Sequence, residues 1–229
     1  MLRYTFFLSE IMKLYWIKTP RLIKNLFPHF VWDLPTDQKI VYLTFDDGSK
    51  SQITEWILLQ LKKYDAKATF FCIGNNIEAE PALFSKILDE GHVVGNHTFN
   101  HLHGWKTNDA KYLQDIGTEI NSSVQIEKRT NNKFRQIFRP PDGKIRLSQA
   151  KKLRELGYKI IMWDILSADF DATLSPEKCF ENATNNIQNG SIIVFHDSKK
   201  AFRNLKFALP KTLDFLQKSG FICEVIGSN

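Results

Sequence analysis

A chain of 229 residues can bury one sizeable core but is too short for two comfortable domains. Its hydrophobic fraction of 43% and charged fraction of 24% are ordinary for a soluble globular protein. The net charge of +6 is dispersed through helical stretches and no recognition motif accompanies it, so nucleic acid is not expected as a partner.

The first twelve residues carry a short apolar stretch, Tyr4 to Leu8, interrupted by Glu10 and followed by no small-residue cleavage site. That stretch is too short to span a bilayer, so no stable membrane insertion and a cytoplasmic location are expected, with Met12 as an alternative start. Residues 1–36 are expected to form an N-terminal segment that packs on the outside of one domain covering 37–229.

Strand-like apolar runs follow at Ile40–Phe45, Ala68–Ile73, His92–Gly95, Gln136–Arg139, Lys159–Ile165, Ser191–His196 and Phe221–Ile226. Helical patterns lie between them at Ile53–Tyr64, Pro81–Glu90, Asp109–Thr130, Leu147–Leu156, Pro176–Gln188 and Phe202–Lys218. Gly91, Gly157, Gly190 and Gly220 each follow a helical stretch, where a left-handed residue closes the last turn. Ser175-Pro176 offers a cap followed by proline in the first turn. Strands alternating with helices predict a parallel α/β architecture, either an open sheet or a barrel.

The polar clusters fall at the C-terminal ends of these strands, the face where α/β sites lie. Asp46-Asp47-Gly48 ends the first strand, His97 and His101 follow the third, and Arg139 ends the fourth. Asp164 and Asp169 lie at and beyond the end of the fifth, and His196-Asp197 ends the sixth. Two adjacent buried carboxylates are costly unless something compensates their charge. Two imidazoles four residues apart can face one way if the segment turns helically, and with one carboxylate they make a hydrolytic zinc set with a position left for water. Oxygen-rich surroundings would also accept other divalent metals, so cobalt, nickel and manganese stand beside zinc.

One aspartate would then serve as a general base, with Arg139 orienting it through a bidentate pair. His196 could protonate a leaving group from the opposite side, oriented by Asp169 or, second, by Asp197. Asp197 is read first as a cap for the following helix. Both roles for Asp46 and Asp47 demand a turn near Gly48, because neighbours on an extended strand point to opposite sides. Cys72, Cys179 and Cys223 are odd in number and make no Cys-x-x-Cys pair, so neither a disulfide framework nor a thiolate zinc site is expected.

Five segments in order now carry a resemblance. Thr44-Phe45-Asp46-Asp47-Gly48, His97-Thr98-Phe99-Asn100-His101, Arg139-Pro140-Pro141-Asp142-Gly143, Trp163 through Phe170, and Val194-Phe195-His196 resemble the five motifs of the polysaccharide deacetylases. This is the NodB-homology group, carbohydrate esterase family four, and the resemblance covers about Lys39 to Ile226. It implies a distorted (β/α)7 barrel, similar to a TIM barrel, and metal-dependent hydrolysis of the acetyl amide of a sugar or polysaccharide. By position, Asp46 resembles the catalytic base, and Asp47, His97 and His101 the metal ligands. Arg139 resembles the tether of the base, His196 the general acid and Asp169 its supporting carboxylate, with a backbone N–H near Asp142 facing the oxyanion.

The chain departs from the pattern at Ser49, where the family has proline, and at Asp142, where it has tyrosine. Leu166 and Phe170 replace the first acid and the tryptophan of the fourth motif, and Asp164 is the candidate to substitute for that acid. Phe170, Trp105 and Phe99 are candidates for an apolar slot or a sugar platform. An acetylated carbohydrate is the expected partner, and oligomeric state is not legible. The rival readings are a metal-independent amidohydrolase of the same fold and a non-catalytic carbohydrate-binding protein.

Overall fold

The computed structural model of the protein describes residues 15–49, 51–117 and 136–227. The central strand, β1 (Ile40–Asp46), is buried along nearly its whole length, as a parallel strand covered on both faces must be. It pairs in parallel with β2 (Ala68–Cys72) and with β7 (Ile192–His196). The sheet continues through β3 (Val93–Asn96), β4 (Ile137–Phe138) and β5 (Lys159–Ile160) on one side. On the other side β7 pairs with β6 (Ile165–Leu166), while β8 (Ile222–Cys223) adds to the start of β1. The order is β5-β4-β3-β2-β1-β7-β6, a curled parallel sheet of the distorted (β/α)7-barrel kind with helices on its outside.

The run Lys159–Ile165 is two short strands rather than one. Ile160 stays in register with Phe138 of β4, whereas Ile165 joins Ile193 of β7, so the chain crosses from one sheet edge to the other between them. Residues 15–36 of the N-terminal segment fill this seam, while 1–14, with the Tyr4–Leu8 stretch, lie outside the described residues. Val31 N–H donates to the Ile160 carbonyl and Met162 N–H to that of Val31, while Leu166 N–H donates to Ile17 and Thr19 N–H to Asp164. Edge amides that would otherwise face solvent are thereby paired. Lys18 and Lys24 fasten the segment by ion pairs to the buried Asp164, at 2.6 and 2.5 Å.

Helices form where apolar spacing placed them, at Ser51–Lys63, Pro81–Asp89, Leu147–Glu155, Pro176–Thr184 and Phe202–Lys218. Residues 109–117 are helical, and the rest of the expected helix to Thr130 lies outside the described residues or reaches their edge. Ser175 caps its helix by accepting from Lys178 N–H at 3.1 Å, with Pro176 in the first turn. The four glycines expected after helices have φ of +80°, +88°, +83° and +73°. At Gly190 the requirement is also steric, since a Cβ would lie 2.1 Å from the Leu34 carbonyl. Short helices at Arg21–Leu26 and Gly74–Ala79 were not legible, because six residues give too few turns for a period.

Phe45 is the hinge of the core, stacked on Phe70 at 5.1 Å and on Phe195 at 6.1 Å. Three neighbouring strands are thus locked side by side just before they deliver Asp46 and His196. The three cysteines are buried and make no disulfide, as small core residues. No helix among the described residues is long and apolar enough to cross a membrane.

Candidate active site

The C-terminal ends of β1, β3, β4 and β7 open on a cleft of about 360 Å³. Asp46, Asp47, His97, His101, Asp142, Phe170 and His196 line it. The turn demanded at the end of β1 is present one residue before Gly48, since Asp47 has φ +80°. Asp46 remains in the strand, and Asp47 swings to the same cleft. Asn76 Nδ2 holds this turn from the side, donating to the Asp47 carbonyl at 2.8 Å.

Asp47, His97 and His101 bring three ligand atoms within 4.8 Å of one another. His97 points its Nδ1 at the Arg139 carbonyl, 2.8 Å away, so its Nε2 is the nitrogen left for the cluster. His101 Nε2 lies 3.3 Å from Asp47 Oδ1. Burial alone would raise the Asp47 pKa, but the His101 hydrogen bond and the nearby His196, His97 and His101 hold it well below the usual carboxylate range. Burial pushes His97 down, which favours the neutral imidazole that a metal needs. Two imidazoles and one carboxylate, with His101 partly exposed on the cleft side, fit a divalent metal with an open position.

The histidine loop is not helical, contrary to the geometry expected for a four-residue spacing. Thr98 and His101 both adopt left-handed backbone, φ +64° and +55°. Asp115 makes that possible. One of its oxygens accepts the Phe99 and Asn100 amides, both at 2.9 Å, and the other accepts Asn100 Nδ2. Asn96 Oδ1 accepts the Thr98 amide at 2.8 Å. Neither residue was legible as a support, because each acts on the backbone of a loop whose course the sequence does not reveal.

Arg139 is completely buried and stacks over Phe71 at 4.2 Å. Its Nη1 donates to Asp46 Oδ1 and to Thr44 Oγ1, both at 2.7 Å. The expected bidentate pair is not formed, because Nη2 and Nε are spent on the Met162 and Ile161 carbonyls. Arg139 therefore takes one carboxylate oxygen of Asp46 and ties the end of β1 to the β5–β6 crossing.

Across the cleft, His196 Nδ1 contacts Asp169 Oδ1 at 2.8 Å, and the His196 amide donates to Asp169 Oδ2 at 2.9 Å. Burial would lower the His196 pKa, but the Asp169 charge and hydrogen bond, with Asp47 and Asp46, push it up to about 9. The imidazolium is thus fully formed below its ordinary value near 6.5 and is lost as pH rises toward about 9. A cation held at Asp47 would remove part of that rise, which sets the window between those two values. In a pH–rate profile, kcat is expected to fall on the alkaline side within it, and Asp169→Asn to move that limb toward acid. An unmoved limb would separate Asp169 from the proton carried by His196.

Two expectations are corrected, those for Asp164 and Asp197, and that for Trp105 is narrowed to a place beside the cleft. Asp164 does not substitute for the missing acid of the fourth motif. It faces Lys18, Lys24 and Ser191 Oγ, the last at 2.6 Å, and its charge is spent on the N-terminal segment. Asp197 is not a helix cap, since the following helix starts at Phe202 behind Ala201. Its carboxyl is buried beneath Gly48, accepts from Thr54 Oγ1 at 2.7 Å, and is pushed up to about 8 by burial and by Asp47 and Asp46. Trp105 does not line the catalytic cleft. It sits beyond the Asp142-Gly143 wall, in a neighbouring groove. Its expected place is taken by Trp163, Leu166 and Tyr15, while Phe170 lies edge-on to His196 at 4.9 Å as a wall residue.

The sequence model described as polysaccharide deacetylase matches residues 33–161. The chain belongs to the polysaccharide deacetylase family. It is 34% identical over 203 residues to a peptidoglycan-N-acetylglucosamine deacetylase of Bacillus cereus, covering 87% of this chain and 93% of that one. It is 30% identical over 188 residues to the peptidoglycan-N-acetylmuramic acid deacetylase PdaA of Bacillus subtilis, covering 81% and 69%. Among solved structures, a peptidoglycan N-acetylglucosamine deacetylase in complex with 4-naphthalen-1-yl-N-oxidanyl-benzamide superposes with a TM-score of 0.80 at 30% identity. That match covers 87% of this chain and 92% of the other. The protein is a hydrolase of the polysaccharide deacetylase type.

Proposed function

We propose that this deacetylase removes N-acetyl groups from the amino sugars of peptidoglycan, using a divalent metal, Asp46 as base and His196 as acid. The observation that carries the reading is the convergence of three units on one cleft: the Arg139-bound Asp46, the Asp47–His97–His101 cluster and the Asp169-bound His196. Its likeness to peptidoglycan-N-acetylglucosamine and peptidoglycan-N-acetylmuramic acid deacetylases supports the choice of substrate. A divalent metal held by Asp47, His97 and His101, zinc before cobalt, nickel or manganese, would polarise the acetyl carbonyl and make water a stronger acid.

Asp46 accepts the proton of the attacking water. Arg139 engages Oδ1, so Oδ2 is the oxygen left for that proton. The Gly143 and Lys144 amides are spent on the Pro140 and Pro141 carbonyls, which leaves the Asp142 amide to face the oxyanion. A backbone group explains why an aspartate can stand where the resembled motif has tyrosine. His196 gives its proton to the departing nitrogen, and Asp169 holds the ring for that transfer. Phe170, Trp163 and Leu166 keep the acetyl methyl side of the cleft apolar.

The test is acetate release from peptidoglycan glycan strands, chitin oligosaccharides and acetylated xylan in parallel. Release from the first two with free amines appearing in equal amount supports the proposal. Release from xylan alone would assign O-acetyl esters instead, and release from none would overturn the substrate class.

A further inference from the structure

One wall residue of the catalytic cleft comes from outside the five motifs. Tyr15, in the N-terminal segment, faces the cleft together with Leu166, Phe170 and His196. The chain that carries it is well fastened. Ile17 accepts the Leu166 amide at 2.8 Å, Lys18 bridges Ile165, and Thr19 Oγ1 donates to the Trp163 carbonyl at 2.7 Å.

Tyr15 packs on a strained corner. Asp169, Phe170 and Asp171 follow Ala168, which has left-handed backbone, φ +57°, despite carrying a side chain. Such a conformation persists only where the surroundings over-determine it. Asn204 holds the corner by its carbonyls, with Nδ2 donating to Asp169 at 3.0 Å and to Asp171 at 3.2 Å. Tyr15 holds it by its side chains. The Tyr15 hydroxyl donates to Asp171 Oδ2, while Oδ1 accepts the Thr173 amide at 2.9 Å and Thr173 Oγ1 at 2.6 Å. Burial and the Asp171 carboxylate push the Tyr15 phenol well up, so it stays a donor. The Tyr15 ring meets Phe170 edge-on at 5.3 Å, and Phe170 meets His196 edge-on at 4.9 Å. Edge-to-face pairs fix the orientation of rings as well as burying their area.

Three consecutive residues thus divide one task. Asp169 takes His196 Nδ1, Phe170 packs against the imidazole, and Asp171 receives the hydroxyl of Tyr15. We infer that Tyr15 is a positioning residue for the general acid, holding the Asp169-Phe170-Asp171 corner so that the His196 ring stays aimed at the leaving nitrogen. The inference rests on the acid role proposed for His196 and extends it to the N-terminal segment. Phe170 stands where the resembled motif has tryptophan, and Tyr15 supplies a second ring at that corner. A misplacement of about 1 Å in a reacting group can cost about 10²-fold in rate, so a small slip of this corner is measurable.

The experiment compares the full chain with its Tyr15→Phe and Tyr15→Ala variants on two substrates. Chitin oligosaccharides release an amine, which must take a proton to leave, whereas 4-nitrophenyl acetate releases a phenolate, which leaves without one. On the amide, Tyr15→Phe is expected to lower kcat about fivefold, the worth of one hydrogen bond. Tyr15→Ala is expected to lower it about 10–100-fold, with KM little changed. On the ester both variants are expected to lose much less. Tyr15 is half-buried, and melting temperatures confirm that each variant is folded. Exchange of the His196 Nδ1 proton with solvent is followed alongside by NMR, a readout that needs no turnover, and is expected to be faster in Tyr15→Ala. Equal losses on amide and ester would overturn the inference, as would a raised KM at unchanged kcat or an unchanged exchange rate. Failure of the parent to release acetate from either chitin oligosaccharides or peptidoglycan would sink the deacetylase reading instead, while faster exchange in Tyr15→Ala would still support the positioning of His196.

Discussion

Asp46→Asn is expected to lower kcat by about 10²–10⁴-fold, the range a positioned general base contributes. Asparagine keeps the shape and can still accept from Arg139, but it cannot take a proton from water. Asp46 is not one of the three cluster ligands, so metal content should be unchanged. Metal analysis and kcat on the same preparation separate the two roles of the Asp46-Asp47 pair. A turnover within tenfold of the parent, or loss of metal together with activity, would contradict the division of labour between them.

Arg139→Met should give the largest loss of stability. The guanidinium is fully buried and gives hydrogen bonds to Asp46, Thr44, Ile161 and Met162. Removing it leaves a buried carboxylate without its cation, a change worth about 3–5 kcal/mol. For a chain of this size that is a fall in melting temperature of about 6–20 °C. The metal-free protein is the one to heat, because a cation beside Asp47 would compensate part of the charge. Combining Arg139→Met with Asp46→Asn should cost less than the two changes summed, since the second removes the stranded charge. Strict additivity would mean that the pair does not interact.

How much of this was legible depended on what carries each position. β1 and its terminal acids could be read because a buried parallel strand is a continuous apolar run, and two carboxylates at its end stand out against it. His97, His101, Arg139 and His196 followed from the same rule. The β5–β6 crossing was not legible, since Lys159–Ile165 is uniformly apolar enough for one strand and only the pairing partners divide it. Asp164 misled for a related reason. Its position in the chain is that of a site residue, but Lys18 and Lys24, about 140 residues earlier, claim its charge. Trp105 lies across the Asp142-Gly143 wall from the cleft, and that wall depends on left-handed backbone at Asp142 and Gly143, φ +54° and +67°. Asp115 shapes the histidine loop through side-chain bonds to residues 99 and 100, and such contacts leave no period in a sequence.

The most direct test of the central claim is acetate release from peptidoglycan glycan strands by protein stripped with a chelator and then given back one metal at a time. Release should vanish on stripping and return with one equivalent of zinc, with cobalt, nickel and manganese compared beside it. A His101→Ala variant should not recover at that metal level. Undiminished release from the stripped protein would contradict the account, because Asp46 and His196 would then be working without the cation proposed for Asp47, His97 and His101.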